Sequence, residues 1–135
     1  MNVTVVTGHL TRPPDHRTLP SGEEVVSYDL SVVSPEDRAE TVPVAWPAPP
    51  PSATQIQVGE ALLVVGRVRR RFYRAGGSTQ SRTEVVASAV VPLRRRAAVR
   101  RLLAEASVAL EELASAPPVA PARRKGRAGQ VADAS

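Results

Sequence analysis

Through most of the first two thirds of the chain, apolar positions recur at every second residue, a period that belongs to β-strands. MNVTVVTGHL opens as a β-branched strand, with Gly8 expected at a bend or bulge. TRPPDHRTLPSG is a turn-rich connection with room for a short extended piece around Arg17 to Leu19, since Pro13 and Pro14 exclude a central strand. EEVVSYDLSVV alternates, with Val26, Tyr28, Leu30 and Val32 on one side, which assigns Tyr28 to the core. SPEDRAE is a solvated loop. TVPVAW is a third strand in which Pro43 cannot donate a ladder hydrogen bond, so an edge or a bulge is expected there. PAPPPSATQIQVGE connects onward with space for about one helical turn. ALLVVGRVRRRFY and SRTEVVASAVVPL are strands four and five, and they read as a hairpin: Leu62 to Tyr73 runs out, Gly76-Gly77 turns, and Arg82 to Val91 returns. Five strands with glycine bends and two long excursions predict an all-β, five-stranded closed barrel whose last hairpin projects as an arm.

The period then changes. In RRRAAVRRLLAEASVALEELASA, Val99, Leu103, Ala106, Leu110 and Leu113 follow one another at spacings of 4, 3, 4 and 3. That is an amphipathic helix over 94–115 with one narrow apolar seam. Its charges oppose the helix dipole, with Arg94 to Arg96 at the start and Glu111 and Glu112 at the end, so packing must hold it: on its own barrel, on a neighbour's barrel or on the same helix of another subunit, with a barrel the expected support. Residues 116–135 are proline, glycine, alanine and basic residues with nothing to bury, and read as a disordered basic tail.

Charge sharpens this picture. Formal charge is +5 over 135 residues, but residues 1–60 hold three arginines against eight acids, while residues 61–100 hold ten arginines against one acid. A single-sign block of that size in a small domain sets up a field for a polyanion. A chain rich in Ala, Val and Pro can reflect an arginine-biased coding sequence, so the use of arginine over lysine carries less weight than the block itself. There is no cysteine, which excludes disulfides and thiolate metal sites. His9 and His16, the only histidines, lack metal-ligand spacing. No serine sits in a nucleophile elbow, and Gly76-Gly77 lacks the context of a phosphate loop. The residues point to no enzyme, no cofactor and no metal. No apolar run reaches the roughly 20 residues of a membrane span and no secretory signal opens the chain, so the expectation is a cytoplasmic protein with no membrane contact.

The order of segments resembles the bacterial single-stranded DNA-binding proteins. MNVTVVTGHLT is similar to that family's first strand, with an Asn near the start and then Gly-x-Leu. Pro14-Asp15-His16-Arg17 and Pro20-Ser21-Gly22 resemble its Asp-Pro-Glu-x-Arg and Pro-x-Gly turn. Val25 to Leu30, Val42 to Trp46, Val58-Gly59 with Leu63 to Arg69, and Thr83-Glu84-Val85-Val86 resemble its later strands in order. The resemblance covers about residues 1–93 and implies an OB-fold barrel that binds single-stranded DNA without sequence preference during replication, recombination or repair. It also implies a homo-oligomer, a tetramer or a dimer, located with the nucleoid. The family's acidic C-terminal tip ending in Pro-Phe has no counterpart in GQVADAS, which leaves replication or repair protein partners open. An accessory OB-fold interaction module or an RNA-binding barrel is the alternative, because a stacking platform ignores the sugar unless a group reads the 2′-hydroxyl.

Proteins that hold single strands need cations along the backbone track and flat side chains for the bases. The hairpin offers both. Alternation puts Arg67, Arg69, Arg71 and Tyr73 on one face, and Val68, Arg70 and Phe72 on the other. The expected DNA-binding residues are Arg67, Arg69, Arg71, Phe72, Tyr73, Arg74 and Arg82, together with Trp46, whose stacking role rests on the family resemblance. In the first strand both faces carry β-branched residues, with Val3 and Val5 opposite Thr4 and Val6, and a lone barrel needs only one of them.

Overall fold

The computed structural model describes residues 1–118 and 121. In chain order these form β1 (Thr4–Leu10), β2 (Asp15–Thr18), β3 (Glu24–Val33), β4 (Ala39–Pro47), a 3-10 turn at Pro51–Thr54, β5 (Ala61–Ala75), β6 (Ser78–Pro92) and α1 (Arg96–Ser115). The strands hydrogen-bond in the order β1-β5-β6-β4-β3-β2, and β1 also pairs with β3, so the ladder returns to its own start. All pairings are antiparallel except that of β4 with β6, which is parallel at Val44↔Val85 and Ala45↔Val86.

β1 can serve two partners because of Gly8. Thr4 to His9 pair with β5, while His9 and Leu10 pair with Ser31 and Leu30 of β3. A Cβ at Gly8 would sit 2.6 Å from the Ser31 carbonyl oxygen, so only glycine lets β3 approach as β1 changes partner. The bend expected at this residue is therefore a close backbone crossing.

Two expectations about the strands need correction. The extended piece after Pro13-Pro14 is a true sixth strand one step earlier, since Asp15 to Thr18 pair with Ser27 to Glu24. A four-residue strand with every side chain exposed carries no alternation for a sequence pattern to show. β4 is also an inner strand, bonded to both β3 and β6, although it contains Pro43. The proline is tolerated for a local reason. Its register partner Asp29 gives its carbonyl to the Thr11 N–H, so the Asp29–Pro43 pair exchanges no ladder bond, and β6 joins β4 only from Val44 onward.

The main core takes alternate residues from every long strand: Leu10, Val26, Tyr28, Leu30, Val44, Leu62, Val64, Val85 and Ala87, closed below by Ala53 and Ile56. Tyr28 is buried as the alternation requires, and its hydroxyl donates to the Ala53 carbonyl at 2.7 Å. Burial pushes its pKa up, because a phenolate would have to form away from water.

A second, smaller cluster lies on the outside. Leu102 and Ala106 of α1 pack on Leu63 and Val65 of β5, flanked by Ala89, Val91, Leu93 and Val99. The helix therefore lies on its own sheet, but not along the expected seam. Leu102 takes the place assigned to Leu103, and Leu103, Leu110 and Leu113 stay exposed. The helix packs on the outer face of β5 through Leu102 and Ala106, while Val108, Leu110 and Leu113 of its second half are exposed. No side chain caps its start, no acid lies in its first turn and no base in its last, as the charge order indicated. The expected disordered tail lies outside the described residues, apart from 116–118 and 121.

Candidate nucleic-acid interface

The arm begins where β5 and β6 leave the core. Both strands have 15 residues and stay paired from Leu62↔Pro92 to Ala75↔Ser78, with one register shift between Val65 and Gly66. At that shift a Cβ on Gly66 would lie 2.0 Å from the Val86 carbonyl oxygen, which bars any side chain. One step further on, Asn2 grips the arm's root. Its Nδ2 donates to the Val68 carbonyl at 2.8 Å, and the Val68 N–H donates to its Oδ1 at 2.9 Å, so a side chain continues the β1 ladder past the end of the strand. At the tip, Gly76 and Gly77 have φ of 58° and 82°, the two positive angles a two-residue type I′ turn requires. The pairing thus takes in two more residues of β5, Arg74 and Ala75, and four more of β6, Ser78 to Ser81, than the span Leu62 to Tyr73 and Arg82 to Val91 indicated.

Register assigns the faces. Arg69, Arg71 and Tyr73 stand opposite Glu84, Arg82 and Gln80 on one side. Val68, Arg70, Phe72 and Arg74 stand opposite Val85, Thr83, Ser81 and Thr79 on the other.

The first of these faces walls a groove of about 710 Å³. The arm contributes Arg71, Tyr73, Arg82 and Glu84. The facing wall is the connection after β1 and the start of β2, with Arg12, Pro13, Pro14, Asp15 and Arg17. Ser27, Asp29 and Pro43 from β3 and β4 form the floor. One carboxylate ties the walls together: Asp29 Oδ2 lies 3.7 Å from Arg12 Nη1, and its Oδ1 lies 3.6 Å from Arg82 Nη2. Arg17 Nε donates to Asp15 Oδ2 at 2.9 Å. Arg69 pairs with Glu84, which is buried and so needs a cationic partner. Arg71 has no ion pair among the described residues, so it points free positive charge at the groove.

Of the residues expected to bind DNA, Arg71, Tyr73 and Arg82 meet in this groove. Arg69 stands beside it, held by Glu84, and Arg67 is exposed nearer the root. Phe72 lies on the opposite face, and Arg74 sits at the tip, 3.4 Å from the Gly77 carbonyl oxygen. Trp46 is a correction. It is a core residue, 9% exposed, with its ring centroid 6.4 Å from that of Tyr28. The alternation of β4 turns it inward, and the Pro51–Thr54 turn and Ile56 fold over it; a small hollow beside the start of α1 receives its remaining edge.

Arg12, Arg17 and Asp29 were not singled out by sequence. The two arginines lie in the acid-rich half of the chain, where the charge average hides them. Their one signal is that both flank the Pro13-Pro14 turn.

A family model described as the single-strand binding protein family matches residues 1–93. A comparison with curated proteins found no match. Among solved structures, the chain is similar to a deletion mutant of the single-stranded DNA binding protein from Thermus aquaticus, with a TM-score of 0.54 and 24% identity, over 71% of this chain and 52% of that one. The chain spans about half the length of that protein, and the likeness shows the fold: a mostly β, OB-fold-like sheet. The matched segment contains all six strands and both walls of the groove, and over it the chain belongs to the single-strand binding protein family.

Proposed function

We propose that the chain binds single-stranded DNA with little sequence preference, in the groove between the β1–β2 connection and the β5–β6 arm, and performs no covalent chemistry. One observation carries the reading: arginines from two separate elements converge on a trough that also holds Tyr73. Phosphates exchange for the carboxylates of Asp15 and Asp29 on Arg17, Arg12 and Arg82, while Tyr73 offers a base its ring. In this reading the returning ladder is a five-stranded OB-fold barrel over residues 1–93, β2 is an extra edge, and the distal β5–β6 hairpin is a binding arm. Barrels of this kind take oligonucleotides between two loops across a sheet face. The C-terminal segment 94–115 is a brace on the barrel.

The biological setting follows the family: protection or organisation of single strands in replication, recombination or repair, in the cytoplasm with the nucleoid. Among the described residues no helix is long and apolar enough to cross a membrane. A homodimer or homotetramer suits the outward, exposed Val3 and Val5 of the first strand region, which one copy of the sheet leaves uncovered.

Titration of fluorescent oligo-dT against a duplex of equal length tests the reading. Oligo-dT should bind far more tightly, with affinity falling steeply as salt rises; equal affinity for duplex overturns it. An RNA-binding role is separated by competition between oligo-dT and oligo-U.

A further inference from the structure

Phe72 is 65% exposed, more than Tyr73 at 40%, and it faces away from the groove. On its face of the arm it stands between Arg70 and Arg74, with Val68 nearer the root and Thr79, Ser81 and Thr83 on the paired strand. Residues two apart on a strand lie about 6.6 Å from each other, so a flat ring is set midway between two cations about 13 Å apart. The two faces differ in how their charge is answered. On the groove side, Arg69 has Glu84 and Arg82 has Asp29, while Arg71 has no ion pair among the described residues. On the back, the arm's paired residues include no acid, and among the described residues neither Arg70 nor Arg74 has an ion pair. Among the described residues Phe72 belongs to neither apolar cluster. A single ring framed by unanswered guanidinium groups and hydroxyls is a poor apolar dock, and it complements a polyanion that carries flat groups.

We infer that the back of the arm is a second binding site for single-stranded nucleic acid, with Phe72 stacking on a base and Arg70 and Arg74 holding the phosphates beside it. This rests on the groove being the first such site. One two-stranded ribbon then carries a strand on each side, so each chain holds two segments at once: two turns of one wrapped strand, or two separate strands brought close together.

Native mass spectrometry at low salt counts strands and chains in the same complex, and so separates a second site from a second subunit. The probe is oligo-dT of about eight nucleotides, within the roughly 4–16 that one such domain covers. The full chain should saturate at two strands per chain. The double variant Arg70→Ser with Phe72→Ser should saturate at one, and its thermal unfolding should match that of the unmodified chain, since both side chains are exposed. Arg71→Ser with Tyr73→Ala should also saturate at one, now held by the back face. Saturation of the unmodified chain at one strand overturns the inference while leaving the groove reading intact. So does a back-face variant that still takes two strands, or one that changes the number of chains per complex without DNA, which would make the face a subunit contact. A chain that binds no oligo-dT, or binds duplex equally well, sinks the groove reading and the inference together.

Discussion

The same two strands, β5 and β6, are core at one end and binding surface at the other. From Leu62 to Val65 and from Val85 to Val90 they bury apolar side chains on both faces, inward on the main core and outward under α1. From Arg67 to Arg74 and from Ser78 to Thr83 every residue is exposed. The backbone ladder does not distinguish the halves, since pairing continues to Ala75↔Ser78 with a single shift at Val65/Gly66. What differs is the company. The root is flanked by β1 and β4 and covered by the helix, while the arm has only its own two strands. A lone two-stranded ribbon is marginally stable in water, so the arm persists because Gly66, Asn2 and the Gly76-Gly77 turn fix its ends. Substitutions in the root should therefore be felt as stability, and those in the arm as affinity.

The largest effect expected on this comparison is at Trp46. Trp46→Ala should cost about 3–5 kcal/mol of stability by emptying part of the core. Because Trp46 is the single tryptophan, its fluorescence is a direct check: oligo-dT should leave it nearly unquenched. Strong quenching would return this residue to the binding surface. Next comes the junction itself. Gly66→Ala forces a Cβ against the Val86 carbonyl and should cost about 1–3 kcal/mol or more in chemical denaturation, with weakened binding following as the arm loses its angle.

Within the arm the readout changes. Tyr73→Ala should weaken oligo-dT binding by roughly tenfold or more, in line with about 1–3 kcal/mol for a stacked base, while the melting temperature stays put. Its salt dependence should be nearly unaffected, whereas Arg71→Ala should lower the slope of log K against log salt by about one.

Tyr28 tests the root from another side. Its phenol is neutral in the fold and its pKa is raised by burial, so ionisation is easier in the unfolded chain. Its contribution is fully present below the ordinary tyrosine pKa of about 10 and is lost progressively as pH rises above that value. Tyr28→Phe should flatten this alkaline loss and cost about 1 kcal/mol at neutral pH, since the Ala53 carbonyl loses its donor. The smallest effect is at Asp29. Asp29→Asn releases Arg12 and Arg82 from exposed pairs worth roughly 0.2–1 kcal/mol each, and should tighten oligo-dT binding by about two- to fivefold. Weaker binding in that variant would mean that the carboxylate's role is to hold the groove walls in position.

The alternation of β3 made Tyr28 legible as core, and the alternation of the arm placed Arg71 and Tyr73 together, because side chains on a regular strand have only two directions to take. The basic hairpin was visible because its charge is contiguous in the chain. The facing wall was not, since Arg12 and Arg17 reach the groove only after β2 docks beside β3. Trp46 illustrates the opposite error: family likeness suggested a surface, while its own strand register sends it inward beneath the Pro51–Thr54 turn.

The chain by itself thus determined the five long strands, their faces, the turn at Gly76-Gly77 and the side of the molecule that carries positive charge, since all of these follow from local spacing. Tertiary structure decided the rest. It placed Asp29 between arginines from two elements, set Leu102 rather than Leu103 beneath the helix, and left Phe72 open on the far side of the arm. The physical reason is the same in each case. Whether a side chain is buried, paired or free depends on what arrives opposite it, and that neighbour comes from elsewhere in the chain.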